Sequence, residues 1–158
     1  MRKTFFEELD KLMYDNPLVW AITGDLGYGG FDYISQRFPD RFINVGAAEQ
    51  AGIDIAIGLS LSGKIPVFYT ITPFLLRAYE SLRTYINHEH IHIILIGSGR
   101  DIDYSDEGFS HHALDIGRLL DPLTHIAQIY PADKSQIEGI LKTAVRTESP
   151  TFISLARV

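Results

Sequence analysis

A chain of 158 residues, 46% hydrophobic and 22% charged, has the size and make-up of one soluble globular domain with a real core. Its formal net charge of −6 is spread along the chain with no basic run, which argues against nucleic acid and anionic membrane surfaces as partners. The lack of cysteine removes a disulfide framework, a thiolate metal site and a cysteine nucleophile.

The N-terminal Met1-Arg-Lys-Thr-Phe-Phe-Glu-Glu8 turns acidic too early for a signal peptide, and the most apolar stretch, 52–61, is too short to span a bilayer. These features suit a cytoplasmic protein. Hydrophobic periodicity predicts a helix over 4–14, a strand over 18–23 and a helix over 31–37. Between the last two lies Gly24-Asp-Leu-Gly-Tyr-Gly-Gly30, which lacks the Lys-Ser/Thr pair of a phosphate loop and reads as a strand-to-helix turn.

A strand over 41–45 then runs through Gly46-Ala-Ala-Glu-Gln50 into a helix over 48–62, small and aliphatic apart from Asp54. Glu49 falls in its first turn. An acid there complements the exposed N–H groups and the helix dipole. It would also stand at the C-terminal edge of a parallel sheet, where open α/β folds bind ligands. Both readings are open on this stretch alone.

A strand over 66–70 and a helix over 74–87 follow. His88, His90 and His92 alternate on the way into a strand over 91–97 and would point the same way, as metal ligands sometimes do. Beyond Glu89, which would face the opposite side, no acidic or cysteine partner lies at ligand spacing, so they read as solvated residues at a strand entrance, with no metal. Ser98 lies between two glycines but lacks a Gly-x-Ser-x-Gly elbow, and Gly97-Ser-Gly-Arg100 fails the dinucleotide fingerprint because Ile102 takes the third glycine position.

The polar loop 99–112 is the longest interruption, and long loops in a compact domain are commonly functional or mobile. Like the Glu49 turn it follows a strand, so both belong to one edge of the sheet. A helix over 113–120, a strand over 124–129, a helix over 133–146 and a strand over 151–155 complete the alternation. The expected fold is α/β: a doubly wound, mainly parallel sheet of about six strands with helices on both faces, forming one domain over residues 1–158.

Four segments, in order, resemble the pyrimidine-binding domain of transketolase-like, thiamine diphosphate-dependent enzymes. Phe38-Pro-Asp-Arg-Phe-Ile-Asn-Val-Gly-Ala-Ala-Glu-Gln50 resembles the family's strand, turn and catalytic-glutamate helix. Ile71-Thr-Pro-Phe-Leu-Leu-Arg-Ala-Tyr-Glu80 resembles its aromatic segment. Asp106-Glu-Gly-Phe-Ser-His-His112 resembles its Glu-Asp-Gly-Pro-Thr-His-Gln loop, with departures at Glu107, Phe109, Ser110 and His112. The stretch from Tyr130-Pro-Ala-Asp133 to Ser149-Pro-Thr-Phe-Ile-Ser-Leu-Ala-Arg157 is similar to the domain's last helix and strand.

The resemblance implies that Glu49 hydrogen-bonds N1′ of the cofactor's aminopyrimidine and drives its imino tautomer, while the cofactor supplies the carbanion chemistry. It implies that Phe74, otherwise a core residue, stacks on that ring. It places His111 at the sugar substrate as a hydrogen-bonding or proton-shuttling group, with weaker matches at Glu107 and His112. Arg77 and Tyr79 also match; Arg77 is placed with the cofactor, and both suit a structural or interface role as well.

The family's diphosphate-binding domain, which holds the metal, and its C-terminal domain have no counterpart in this sequence. The expectation is therefore a pyrimidine-binding subunit of a split transketolase-like enzyme, sharing thiamine diphosphate with a diphosphate-binding partner that holds Mg²⁺, as an α2β2 assembly. Its reaction would be two-carbon ketol transfer between sugars, with sugar phosphates or related ketoses and aldoses as substrates. One alternative is the corresponding subunit of a 2-oxo acid decarboxylase or dehydrogenase, or of a 1-deoxyxylulose phosphate synthase-like enzyme. Another is a non-catalytic ligand-binding or scaffolding module, and a piece of a longer protein would read the same way as a separate subunit.

Overall fold

The computed structural model describes residues 1–157. Its elements are α1 (Arg2–Asp15), β1 (Val19–Thr23), α2 (Gly30–Arg37), β2 (Phe42–Asn44), α3 (Glu49–Leu61) and β3 (Ile65–Ile71). An irregular helical stretch follows: a 3₁₀ segment (Thr72–Ala78), one α-turn, α4 (Tyr79–Ser81), and a π-helical segment (Leu82–His88). The chain then forms β4 (Ile94–Ser98), α5 (Ile116–Leu120), β5 (Ala127–Ile129), α6 (Ile137–Arg146) and β6 (Thr151–Leu155).

The six strands form one sheet in the order β2-β1-β3-β4-β6-β5, and every pairing is parallel. A parallel sheet is covered on both faces, and its central strands consequently read as unbroken apolar runs. β3 and β4 fit this: Pro66 to Ile71 and Ile94 to Ser98 are all buried. One core joins Phe5, Leu9 and Met13 of α1, Ile34 of α2 and Leu141 of α6 to alternate strand residues such as Val67 and Ile96. The other joins Ile53 and Ala56 of α3, Leu75, Leu82 and Ile86 of the irregular stretch and Leu120 of α5 to Ile22, Phe68 and Leu95. The doubly wound architecture expected from the sequence is the observed one.

Winding reverses at β1. The chain leaves β1 through α2 on one face to reach β2, then crosses back through α3 on the other face to β3. Ligand crevices of open α/β sheets lie at the carboxyl ends of the strands flanking such a reversal. α3 crosses close to the sheet because residue 52 is glycine: a β-carbon there would lie 2.4 Å from the buried ring of Phe68.

Two predicted elements change form. The helix expected over 74–87 is instead 3₁₀, then α, then π. Thr72 accounts for the tight start, because its hydroxyl is tied to the carbonyls of Ser98 (3.2 Å) and Gly99 (2.5 Å) beyond β4. The helix expected from 113 starts at Ile116, since the Ala113 N–H is spent on Asp101 O at 2.7 Å across the loop.

Candidate functional site

The turn before α3 is shaped by the Asn44 side chain. Its Oδ1 accepts from the N–H groups of Asp25 (2.9 Å) and Gly46 (3.0 Å), tying the loop after β1 to the loop after β2. Gly46 takes φ +68°, a region that favours glycine, and the chain turns there into α3. Glu49 is the first residue of that helix and only 2% exposed. A β-carbon on Gly24, just past β1, would stand 3.8 Å from Glu49 Oε1 and 3.2 Å from Gly46 O. The carboxylate therefore lies over the end of β1, at the winding reversal.

A carboxylate this buried requires a donor, since an unpaired charge in the interior is strongly disfavoured. The donor is Arg77, whose Nη1 lies 2.8 Å from Glu49 Oε2 while its side chain remains 54% exposed. The same guanidinium covers the ring of Phe74, 4.5 Å from its centroid. Behind them Gln50 Nε2 donates to Asp54 Oδ1 (2.9 Å) and to Ser81 Oγ (2.7 Å), and Ser81 Oγ donates to Asp54 Oδ1 (3.1 Å). This triangle fastens α3 to α4, directly after Arg77. Asp54, the single charge inside an otherwise apolar helix, is thereby accounted for.

His111 comes from the 99–112 loop and packs its ring edgewise on Phe74 at 5.0 Å, with Nδ1 3.0 Å from Ser110 Oγ. Glu49, Arg77, Phe74 and His111 thus form one continuous cluster. Glu107 does not join it through any contact and stands exposed at the loop's tip. His112 is half-buried, with Nε2 out of solvent and lacking a hydrogen-bond partner, and its ring meets Phe109 at 6.1 Å. Tyr79 has a structural bond instead: its hydroxyl donates to Leu119 O at 2.8 Å.

The loop is anchored at its base. Asp103 Oδ2 accepts from the N–H groups of Arg100 (2.9 Å) and Arg157 (2.8 Å), and Arg100 Nη2 donates to Ser154 O (2.6 Å) and Pro131 O (3.1 Å). Arg100 also lies over Tyr130, whose phenol burial pushes up with help from Asp121 and opposition from Arg100. None of Asn44, Asp103 and Arg100 stood out in the sequence, because each acts across segments that only the topology brings together.

At the other end of the sheet the histidines correct the uniform reading given to them. His88 and His90 are exposed, but His92 is half-buried and its Nε2 donates to Ala144 O at 2.9 Å. Burial lowers its pKa against the opposing effects of that hydrogen bond and of Glu148. The His90 ring lies tilted against that of His125, with centroids 4.0 Å apart. Among the described residues no group of three His, Asp or Glu side chains is placed to hold a metal ion.

The family described as transketolase, pyrimidine binding domain, matches residues 1–158. The 1-deoxy-D-xylulose-5-phosphate synthase of Magnetococcus marinus is 31% identical over 158 residues, covering 98% of this chain and 25% of that protein. The enzyme of the same name from Desulforudis audaxviator is 31% identical over 137 residues, covering 87% of this chain and 21% of that protein. The chain thus spans about a quarter or less of the length of these curated relatives. Among solved structures, a split-gene transketolase described as an inactive beta4 tetramer superposes with a TM-score of 0.86 at 30% identity, covering 99% of this chain and 51% of that one. Transketolase from Leishmania mexicana shares the fold, with a TM-score of 0.89 at 22% identity over 99% of this chain and 25% of that one.

Proposed function

This chain belongs to the transketolase pyrimidine-binding domain family, and we propose that it supplies the pyrimidine half of a thiamine diphosphate site that a diphosphate-binding partner subunit completes. The observation that carries this reading is the pairing of a carboxylate only 2% exposed with an aromatic face at the winding reversal of the sheet. These residues fit the cofactor's pyrimidine ring: Glu49 to hydrogen-bond a ring nitrogen, Phe74 to lie against a flat surface. Thiamine diphosphate supplies the carbanion chemistry when bound.

In this reading Glu49 is the catalytic residue that orients the ring and controls the proton at its nitrogen. Phe74 holds the ring's plane, and Arg77 lies within the cofactor's pocket. His111, on the edge of Phe74, hydrogen-bonds the substrate or moves a proton beside the reacting carbons. Glu107 and His112 belong to the substrate side of the loop. The diphosphate and Mg²⁺ fall to the partner, in an α2β2 assembly. The likeness to a split-gene transketolase supports a separate partner chain.

The reaction is two-carbon ketol transfer between sugars. A second reading, a subunit of a 1-deoxyxylulose phosphate synthase-like enzyme acting on a 2-oxo acid, is favoured by the names of the curated relatives. Reconstitution separates them. The chain is mixed with its co-purifying diphosphate-binding partner, thiamine diphosphate and Mg²⁺, and ketose donors are compared with 2-oxo acids. Ketol transfer that disappears in Glu49→Ala is the expected result; turnover of 2-oxo acids alone selects the second reading. Activity indifferent to Glu49→Ala would leave only a non-catalytic ligand-binding or scaffolding module.

A further inference from the structure

We infer that Arg77 is a built-in place-holder for the cofactor's pyrimidine ring, its guanidinium filling the space between Glu49 and Phe74 until the ring displaces it. The inference rests on the pyrimidine-site reading above and concerns what that half-site does with its buried charge before the ring arrives. A ring seated there makes two contacts, a hydrogen bond to the Glu49 carboxylate and stacking on Phe74. The guanidinium makes both, donating to Glu49 Oε2 at 2.8 Å and standing 4.5 Å from the Phe74 centroid. It suits this mimicry because it is planar, delocalised and a donor along its edge.

Which partner moves is decided by anchoring. Glu49 is 2% exposed and begins a helix that is packed onto Phe68 through Gly52 and fastened to α4 through Gln50, Asp54 and Ser81. Arg77 is 54% exposed, and among the described residues its one ion pair is with Glu49. Its long side chain swings into water at little cost in packing, and its charge is solvated there. The carboxylate stays and the guanidinium leaves. Two flat groups cannot share the one space, so the ring binds only the fraction of molecules in which Arg77 has withdrawn, and apparent affinity falls by that fraction.

The sign of the effect separates this role from an ordinary cofactor contact. An arginine that held the cofactor would weaken binding when removed; a place-holder strengthens it. The full chain is titrated with 4-amino-5-hydroxymethyl-2-methylpyrimidine, the ring without its diphosphate, and binding is followed by NMR. Arg77→Met, which keeps the stem and loses the donors, is expected to bind about tenfold more tightly than the unmodified chain. Adding Glu49→Ala to it is expected to abolish binding.

Equal or weaker binding by Arg77→Met, or none, overturns the place-holder. The pyrimidine-site reading survives that result as long as Glu49→Ala in the unmodified chain weakens the probe, and falls with it otherwise. Should Arg77→Met not fold, the Arg77 Nε–H resonance of the unmodified chain gives the same answer. Its shift to that of a solvated side chain at saturating probe supports displacement, and an unmoved signal overturns it.

Discussion

At the carboxyl ends of the strands one buried carboxylate draws a guanidinium, and through it an aromatic face, toward a single point. At the amino ends lie four histidines that converge on nothing. His88 lies in solvent 3.6 Å from Glu89, the His90 ring leans on that of His125, His125 Nδ1 donates to Asn87 O at 3.1 Å, and His92 donates to Ala144 O. Four of the six histidines thus belong to the end with no cluster. What distinguishes a site is the direction in which polar atoms face and how little water reaches them, rather than their number.

The strongest test sets one residue of the carboxyl ends against two of the amino ends in the reconstituted enzyme. Glu49→Ala is expected to lower turnover about a thousandfold, the scale of losing a positioned proton-handling group. His90→Ala and His125→Ala are expected to leave turnover unchanged. The fold should tolerate Glu49→Ala, because the guanidinium it releases is already 54% exposed and finds water. Equal losses at the two ends would erase the contrast.

How much of this was legible in sequence follows the range of the interactions. The strands declared themselves through apolar runs, although β4 begins at Ile94 rather than 91 and β5 at Ala127 rather than 124, and Glu49 through its place at the mouth of an apolar helix. The partnership of Glu49 with Arg77 spans 28 positions and depends on α3 crossing back over β1, so no local pattern carries it. The stretch after β3 misled for a related reason. Leu75, Leu82 and Ile86 recur at near-helical spacing and are buried, but the tie from Thr72 to the end of β4 tightens the first turns, and wide π turns follow. Periodicity reports which face is buried, not the pitch that buries it. His92 is the third case: alternation placed it with His88 and His90, and only the packing of α6 against the sheet separates it from them.

The scaffold under each part of the C-terminal edge makes smaller predictions. Gly52→Ala forces a β-carbon to 2.4 Å from Phe68 and should destabilise the fold by about 1–3 kcal/mol in chemical denaturation. Because α3 carries Glu49, turnover should fall with it. Asp103→Ala removes the acceptor of two backbone N–H groups at the base of the loop, with an expected cost of about 1–2 kcal/mol. Its distinctive mark is local: the Ala113 N–H, bonded to Asp101 O, should lose hydrogen-exchange protection while the amides of β3 keep theirs. An unprotected β3 would mean that loop and scaffold are not separable.

The smallest effect lies at the amino ends, where His92 links pH to stability. Its Nε2 is bonded to a carbonyl oxygen that only accepts, so that nitrogen carries the proton in the neutral ring and charging adds a second proton at Nδ1. Burial disfavours the charged ring and holds the folded-state pKa below the unfolded value, with the bond to Ala144 and the charge of Glu148 resisting. The unfolded chain therefore takes up the proton first as pH falls. The contribution of His92 is fully present above the unfolded histidine pKa of about 6.5 and is lost as pH drops through the lower folded value. Denaturation midpoints between pH 8 and 5 should decline more in the unmodified chain than in His92→Gln, which leaves an uncharged side chain there at every pH. Parallel profiles for the two proteins would show that His92 does not link pH to folding, and the two ends of the sheet would then differ only in the cluster around Glu49.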